Sequence, residues 1–217
     1  MPFMSDAVIC FDLDDTLYKE IDFVKSAFGE IAENAGYPEG VQQMMEWYYE
    51  GKNVFAELIA AYRLDMTVAN CINIYKNHLP KISLEIEVKG LLDYLKKHGS
   101  VLGIITDGRS ISQRNKLSAL GLNGFFDIEV ISEEFGSEKP NLRNYQIVME
   151  KFTEGKCFWY VGDNPQKDFI APNKLGWNTV CLLDDGRNIH KQHFNLEADY
   201  LPMNCIQNIE ELYHFLS

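Results

Sequence analysis

The stretch FDLDDTLY, residues 11–18, decides how the rest of this chain is read. It closes an apolar run at 8–11 and places Asp12 and Asp14 two positions apart. In an extended segment side chains alternate faces, so these carboxylates point the same way while Leu13 points into the core. Two like charges on one side of a strand end repel each other. A chain keeps such a pair for a cation, or to give two acids different tasks. Asp15 falls on the opposite face and reads as structural, capping the chain where it leaves the strand.

Outward from this stretch, runs rich in β-branched and aromatic residues recur at 8–13, 101–106, 126–132, 158–162 and 179–183. They are continuously apolar rather than alternating, as strands buried on both faces are. Helical stripes lie between them: Leu91, Leu92 and Leu95; Leu117 and Leu120; Leu142, Tyr145, Val148, Met149 and Phe152. This alternation predicts right-handed βαβ units and an α/β fold with a parallel, Rossmann-like sheet.

Residues 18–87 break the alternation and read as helices throughout. Their stripes are Phe23, Ala27, Phe28 and Ile31; Met44, Met45, Trp47 and Tyr48; Phe55, Leu58, Ile59 and Tyr62; Val68, Cys71, Ile72 and Tyr75. The expected division is a core of 1–17 and 88–217 with a helical module, 18–87, inserted directly after the acid pair. Ligand crevices in open α/β sheets lie at strand ends, so the module would cover the site as a lid. The tail at 208–216, with Ile209, Leu212 and Leu216 on one face, is expected to close the core. The stretch 184–195, His190 and His193 included, reads as a polar surface loop.

A length of 217 residues with 46% hydrophobic suits one domain with a sizeable insertion. A net charge of −12 argues against a nucleic-acid partner but leaves a small anionic ligand open, since a few local cations suffice to hold one. The opening MPFMSDAV lacks a basic n-region, and no apolar run reaches membrane-spanning length. The expected location is therefore the cytoplasm, with no membrane partner; the sequence sets no oligomeric state. Cys10, Cys71, Cys157, Cys181 and Cys205 contain no C-x-x-C pair and read as reduced, with Cys10, Cys157 and Cys181 buried in or beside strands.

Three further features fall at the C-terminal ends of predicted strands. Thr106 ends VLGIIT and precedes Asp107-Gly108-Arg109; Lys139 stands in SEKP before a helix whose first position would be Pro140; Asp163 and Asp168 stand in GDNPQKD. Each residue type has a task if the substrate is a phosphate ester. A Mg²⁺ ion takes oxygen ligands, here Asp12, Asp163 and the main-chain carbonyl of Asp14, with Asp168 anchoring them from behind. Asp12 would attack phosphorus, and Asp14 would protonate the leaving oxygen and then activate water. Thr106 and Lys139 would hold the equatorial oxygens, helped by the positive end of the helix at Pro140. Asp107, Gly108 and Arg109 are candidate substrate contacts, Arg109 either as an anion clamp or in a surface ion pair. Lys52, in the loop Gly51-Lys52-Asn53, either reaches down to the site or stays solvated. Trp47, Tyr48, Tyr49 and Tyr62 are candidate pocket aromatics, although their helical spacing favours packing.

D-x-D-x-T at Asp12, Asp14 and Thr16, the strand-end Thr106, the Lys139-Pro140 pair and G-D-x-x-x-x-D at Gly162, Asp163 and Asp168 resemble, in order, the four motifs of the haloacid dehalogenase-like (HAD) hydrolase superfamily. The insertion between the first and second motifs resembles that superfamily's C1-type cap. The resemblance implies a Rossmann-like core, Mg²⁺ dependence, an Asp12 nucleophile that forms an aspartyl phosphate, and an Asp14 acid/base. It implies a phosphomonoester hydrolase acting on a small phosphorylated metabolite. A sugar phosphomutase would share every core residue. A dehalogenase is disfavoured, because a halide leaves unprotonated and gives Asp14 no task. A non-enzymatic receiver-type signalling domain is disfavoured as well, being shorter, with its acid pair and phospho-acceptor on different strands and no helical lid. Two positions depart from the common pattern: Asp107 stands where relatives often have Asn, and Ala171-Pro172 where Gly-Ala is common. Pro172 is tolerated only in a first helical turn, which limits how far upstream that helix begins.

Overall fold

The central strand β1 (Ala7–Phe11) is buried at every position, with neighbours on both edges. The computed structural model describes residues 6–153 and 156–216. The other strands are β2 (Val101–Thr106), β3 (Ile128–Ile131), β4 (Cys157–Gly162), β5 (Asn178–Leu182) and β6 (Asn204–Ile206). They form one parallel sheet in the order β3-β2-β1-β4-β5-β6. Within β1 the period of two assigns side chains to two layers. Ala7, Ile9 and Phe11 join one apolar cluster, while Val8 and Cys10 join another with Tyr145, Val148, Tyr160 and Trp177.

Helices α1 (Glu20–Asn34), α2 (Val41–Tyr49), α3 (Val54–Tyr62) and α4 (Val68–Asn77) follow β1 without an intervening strand. Ile21, Val24, Phe28, Ile31, Met44, Trp47, Leu58 and Cys71 bury into an apolar cluster of their own. Phe23 is the exception, packing into the cluster beneath the sheet. The remaining helices are α5 (Ile86–Lys97), α6 (Ser110–Ala119), α7 (Ser132–Phe135), α8 (Arg143–Lys151), α9 (Ile170–Lys174) and α10 (Tyr213–Leu216). Leu91, Leu92 and Leu95 on α5 and the tail residues Ile209, Leu212 and Leu216 are buried on one side of the sheet, as their stripes predict. Among the described residues no helix is long and apolar enough to cross a membrane.

Four expectations need correction. β6 is additional to the five strands read from sequence; at three residues it is too short to show periodicity. β3 starts at Ile128 rather than 126, and Ser132 already opens α7. No helix starts at Pro140. The Lys139-Pro140 peptide is cis and lies in a turn in which Asn141 N–H donates to Glu138 O at 3.0 Å, and α8 begins at Arg143. Leu142 therefore precedes the helix and is exposed. Finally, all five cysteines are free, but Cys157 is only half-buried and Cys205 is exposed.

Candidate active site

The strand ends converge because the three central strands run level: Phe11 pairs with Ile104 on β2 and with Val161 on β4. The residues just beyond them therefore meet at one edge of the sheet. Asp12 N–H donates to Val161 O at 2.8 Å, which fixes the first turn after β1. Asp15 adopts a left-handed φ of 57° and accepts from Glu20 N–H at 2.9 Å and Ile189 N–H at 3.0 Å. It caps the entry to α1, the structural task its sequence position suggests.

At the centre is Lys139, buried, with Nζ 2.7 Å from Asp12 Oδ1, 2.8 Å from Asp168 Oδ1 and 3.1 Å from the Tyr160 hydroxyl. The attraction of Asp12 and Asp168 outweighs burial and holds the ammonium well above the usual lysine range. Asp168 is fully enclosed; its Oδ2 accepts the N–H groups of Asn164 at 2.8 Å and Asp163 at 3.2 Å. Asp163 Oδ2 accepts from Asn188 Nδ2 at 3.0 Å. Burial first, then Asp168 and Asp12, push the Asp163 carboxyl up to about 9; burial pushes Asp12 up to about 6 against the pull of Lys139.

Oxygens of Asp12, Asp163 and Asp168 lie within 4.8 Å of one another. Three carboxylates against one buried ammonium leave the cluster short of positive charge, and hard oxygen donors are what Mg²⁺ binds. The residues present fit such an ion. Asp168 already spends both oxygens on Lys139 and the main chain, so Asp12 and Asp163 are the carboxylates with capacity to spare for one. Of the bond donors that sequence placed around substrate, Thr106 and Lys139 are buried at this edge. Asp107 accepts Lys139 N–H at 3.0 Å on one oxygen and faces Lys167 Nζ at 3.4 Å on the other. Its extra charge is thereby matched by a second lysine.

Asp14 shares the smaller cavity with Asp12 but is held by a separate set of partners. Lys116 Nζ lies 2.7 and 2.9 Å from its two oxygens, Gln113 Nε2 donates at 3.0 Å, and the Tyr18 hydroxyl donates as well. Burial works against the charged form, but Lys116, Gln113 and Tyr18 together hold the carboxyl below its ordinary value. Two cavities meet here. One of about 140 Å³ is lined by Asp12, Asp163, Thr106, Lys167 and His190 among others. The other, of about 270 Å³, is lined by Phe23, Tyr75, Lys76, Arg109 and Lys116 among others. Asp14, Glu20 and Asp107 line both. Gly108 and Arg109 face the larger cavity, Gly108 with a φ of 140° that favours glycine. Lys52 stands outside this gathering, exposed and paired with Glu50 at 2.7 Å. The candidate aromatics also lie elsewhere: Tyr62 packs on Tyr37, Tyr48 on Phe28, Trp47 is buried among the module's helices and Tyr49 is exposed.

The model of the haloacid dehalogenase-like hydrolase family matches residues 9–182. The chain belongs to this family. Similar relatives are the glyceraldehyde 3-phosphate phosphatases of Methanocaldococcus jannaschii, 31% identical over 94% of this chain and 94% of that one, and of Pyrococcus furiosus, 32% identical over 94% and 92%. The fold is similar to that of the magnesium-bound HAD-hydrolase YfnB from Bacillus subtilis, with a TM-score of 0.70 and 22% identity over 97% of this chain and 98% of that one. These matches make the protein a HAD-type phosphatase.

Sequence reading of this HAD chain missed several residues at the site. Lys116 and Gln113 lie on the helix whose apolar stripe is Leu117 and Leu120, and nothing local in it sets them apart. Phe23 and Tyr75 read as packing residues. Lys167 lies at a spacer position of the fourth motif, between Asp163 and Asp168. Asn188 and Gln192 were missed because 184–195 reads as a free loop, whereas Gln192 Nε2 donates to Asp163 O at 2.7 Å. No local signal marks such contacts, since the partners are distant in sequence.

Proposed function

We propose that this phosphatase hydrolyses phosphomonoesters of small metabolites by transferring the phosphoryl group to Asp12, with Asp14 moving the leaving group's proton. The observation that carries this reading is the place of Asp14 on the wall between two cavities. The smaller holds Asp12 and suits a phosphoryl group; the larger suits the organic part. The ester oxygen between them then sits beside Asp14.

Lys139 binds Asp12 Oδ1, so Oδ2 is the oxygen assigned to attack. The ester enters as its monoanion and passes its proton to Asp14, which is ionised in the free site; as Oδ2 forms its bond to phosphorus, the ester P–O bond breaks and the departing oxygen takes that proton from Asp14. Asp14 next removes a proton from water, whose oxygen attacks the aspartyl phosphate. Inorganic phosphate leaves and Asp12 is restored. Gln113 Nε2 donates to Thr106 Oγ1 at 2.7 Å, which leaves the Thr106 hydroxyl proton for a phosphoryl oxygen. Asp12, Asp163 and the carbonyl of Asp14 would hold Mg²⁺, whose charge, when bound, offsets that of the carboxylates and of the transferring group. The organic part meets Phe23 and Tyr75 on apolar sides and Arg109 and Lys76 at polar ones. A short phosphorylated sugar or aldehyde suits that lining, and glyceraldehyde 3-phosphate is the first candidate.

The purified protein with Mg²⁺ is expected to release phosphate from p-nitrophenyl phosphate and from glyceraldehyde 3-phosphate, and EDTA to stop it. Asp12→Asn is expected to lower kcat by about 10³-fold or more, as loss of a nucleophile does. Full activity in Asp12→Asn would remove this mechanism.

A further inference from the structure

We propose that Lys116 is a positioning residue for Asp14, holding its carboxylate on the wall between the two cavities so that the proton is delivered to the ester oxygen. This rests on the acid/base reading of Asp14 given above. Lys116 projects from α6, and its side chain is only 5% exposed. A lysine enclosed to that degree is costly unless its charge is matched. Its Nζ contacts both oxygens of Asp14, lies 3.8 Å from Glu20 Oε1, and stands 4.5 Å from the centre of the Phe23 ring. Glu20 and Phe23 both belong to α1, so a single ammonium ties the core helix, the acid and the module's first helix together.

Contact with both oxygens fixes the rotation of the Asp14 carboxylate as a contact with one would not. Tyr18 and Gln113 bind the same carboxylate from other directions. Lys116 lines the larger cavity and is not among the residues lining the smaller one. It therefore acts through Asp14 rather than on the phosphoryl oxygens, which fall to Lys139 and Thr106.

The test compares kcat/KM on two substrates, because this ratio reports steps only up to departure of the leaving group. A nitrophenolate leaves readily without a proton, whereas an alkoxide, as from glycerol phosphate, must be protonated. Lys116→Met is expected to lower kcat/KM by about 10²-fold on glycerol phosphate but by less than about tenfold on p-nitrophenyl phosphate, the pattern of a lost general acid. Lys116→Arg is expected to recover most of the loss. Lys116→Gln, which keeps a donor, supplies the same ratio if circular dichroism shows Lys116→Met unfolded. Equal losses on both substrates, or none on either, would overturn the proposal. Asp14→Asn separates the two layers of argument. If it shows no difference between substrates, the acid/base reading fails and the proposal with it. If it shows the difference and the Lys116 variants do not, the positioning role alone fails.

Discussion

Asp168 and Asp163 stand five positions apart in one motif but have opposite electrostatic situations. Asp168 is balanced by Lys139 and two main-chain donors, whereas Asp163 accepts one amide bond and faces two other carboxylates. Its carboxyl, ordinarily near about 4 in an unfolded chain, is pushed up to about 9 by burial and then by Asp168 and Asp12. The sign follows from linkage: an acid with a raised folded-state pKa favours the fold fully below its unfolded value, and that contribution is lost as pH rises through the folded one. Without metal, Asp163→Asn is therefore expected to melt higher than the parent protein at pH 9, with the gain shrinking toward pH 5. Added Mg²⁺ is expected to raise the Tm of the parent and to leave that of Asp163→Asn unchanged. Asp168→Asn, by contrast, weakens the pairing of a buried ammonium and is expected to destabilise by about 3–5 kcal/mol. An Asp163→Asn protein melting below the parent at pH 9 in EDTA would contradict this account of the cluster.

Between elements, close packing of the strands is decided at Gly103, which pairs in register with Cys10 on β1 and Ile128 on β3. A Cβ there would lie 2.6 Å from Cys10 Sγ and 2.9 Å from Ile128 Cγ2. Gly103→Ala is expected to cost about 1–3 kcal/mol in urea unfolding, as overpacking does. Gly90→Ala, inside α5 with nothing within 4 Å of its Cβ position, is expected to gain about 0.5–1 kcal/mol instead. A Gly103→Ala protein as stable as the parent would show that Cys10 and Ile128 give way to the added methyl, and would refute the packing account. The same elements show why most of the fold was legible in the sequence. Strands buried on both faces write continuous apolar runs, and the motif residues stand at their ends. The three-residue β6, the turn at Lys139-Pro140 and the inward course of 184–195 write no such pattern. Nothing in its own helix marks Lys116, because its partner, Asp14, lies 102 positions away. Motif spacing places Asp12, Asp14, Thr106, Lys139, Asp163 and Asp168 at neighbouring strand ends, where the structure gathers them; the residues that contact them are defined only by tertiary packing.

For the molecule as a whole, α4 rests on α6 beside the larger cavity. The last carbonyls of a helix lack partners within it, and α6 supplies them: Asn115 Nδ2 donates to Asn77 O and His78 O at 3.0 Å each, and Ser112 Oγ donates to Lys76 O at 2.8 Å. These bonds lie beside the cavity that Lys76, Tyr75 and Ser112 line. On the proposed function they would close the module over the organic part of a substrate, and they touch neither Asp12 nor Asp163. Losing a half-buried donor that serves two acceptors costs about 0.5–1.5 kcal/mol, a loss that bears on the closed arrangement and not on an open one. Asn115→Ala is thus expected to raise KM for glyceraldehyde 3-phosphate, the proposed substrate, by about 2- to 12-fold, the factor that energy corresponds to. Its kcat, measured at saturating substrate, is expected to stay within about threefold, because binding energy lost equally from ground and transition states leaves kcat unchanged. Hydrogen exchange at residues 76–78 is expected to quicken in parallel, reporting the freed end of α4. A fall in kcat with KM unchanged would place Asn115 among the groups that act in the transition state and would refute the clasp.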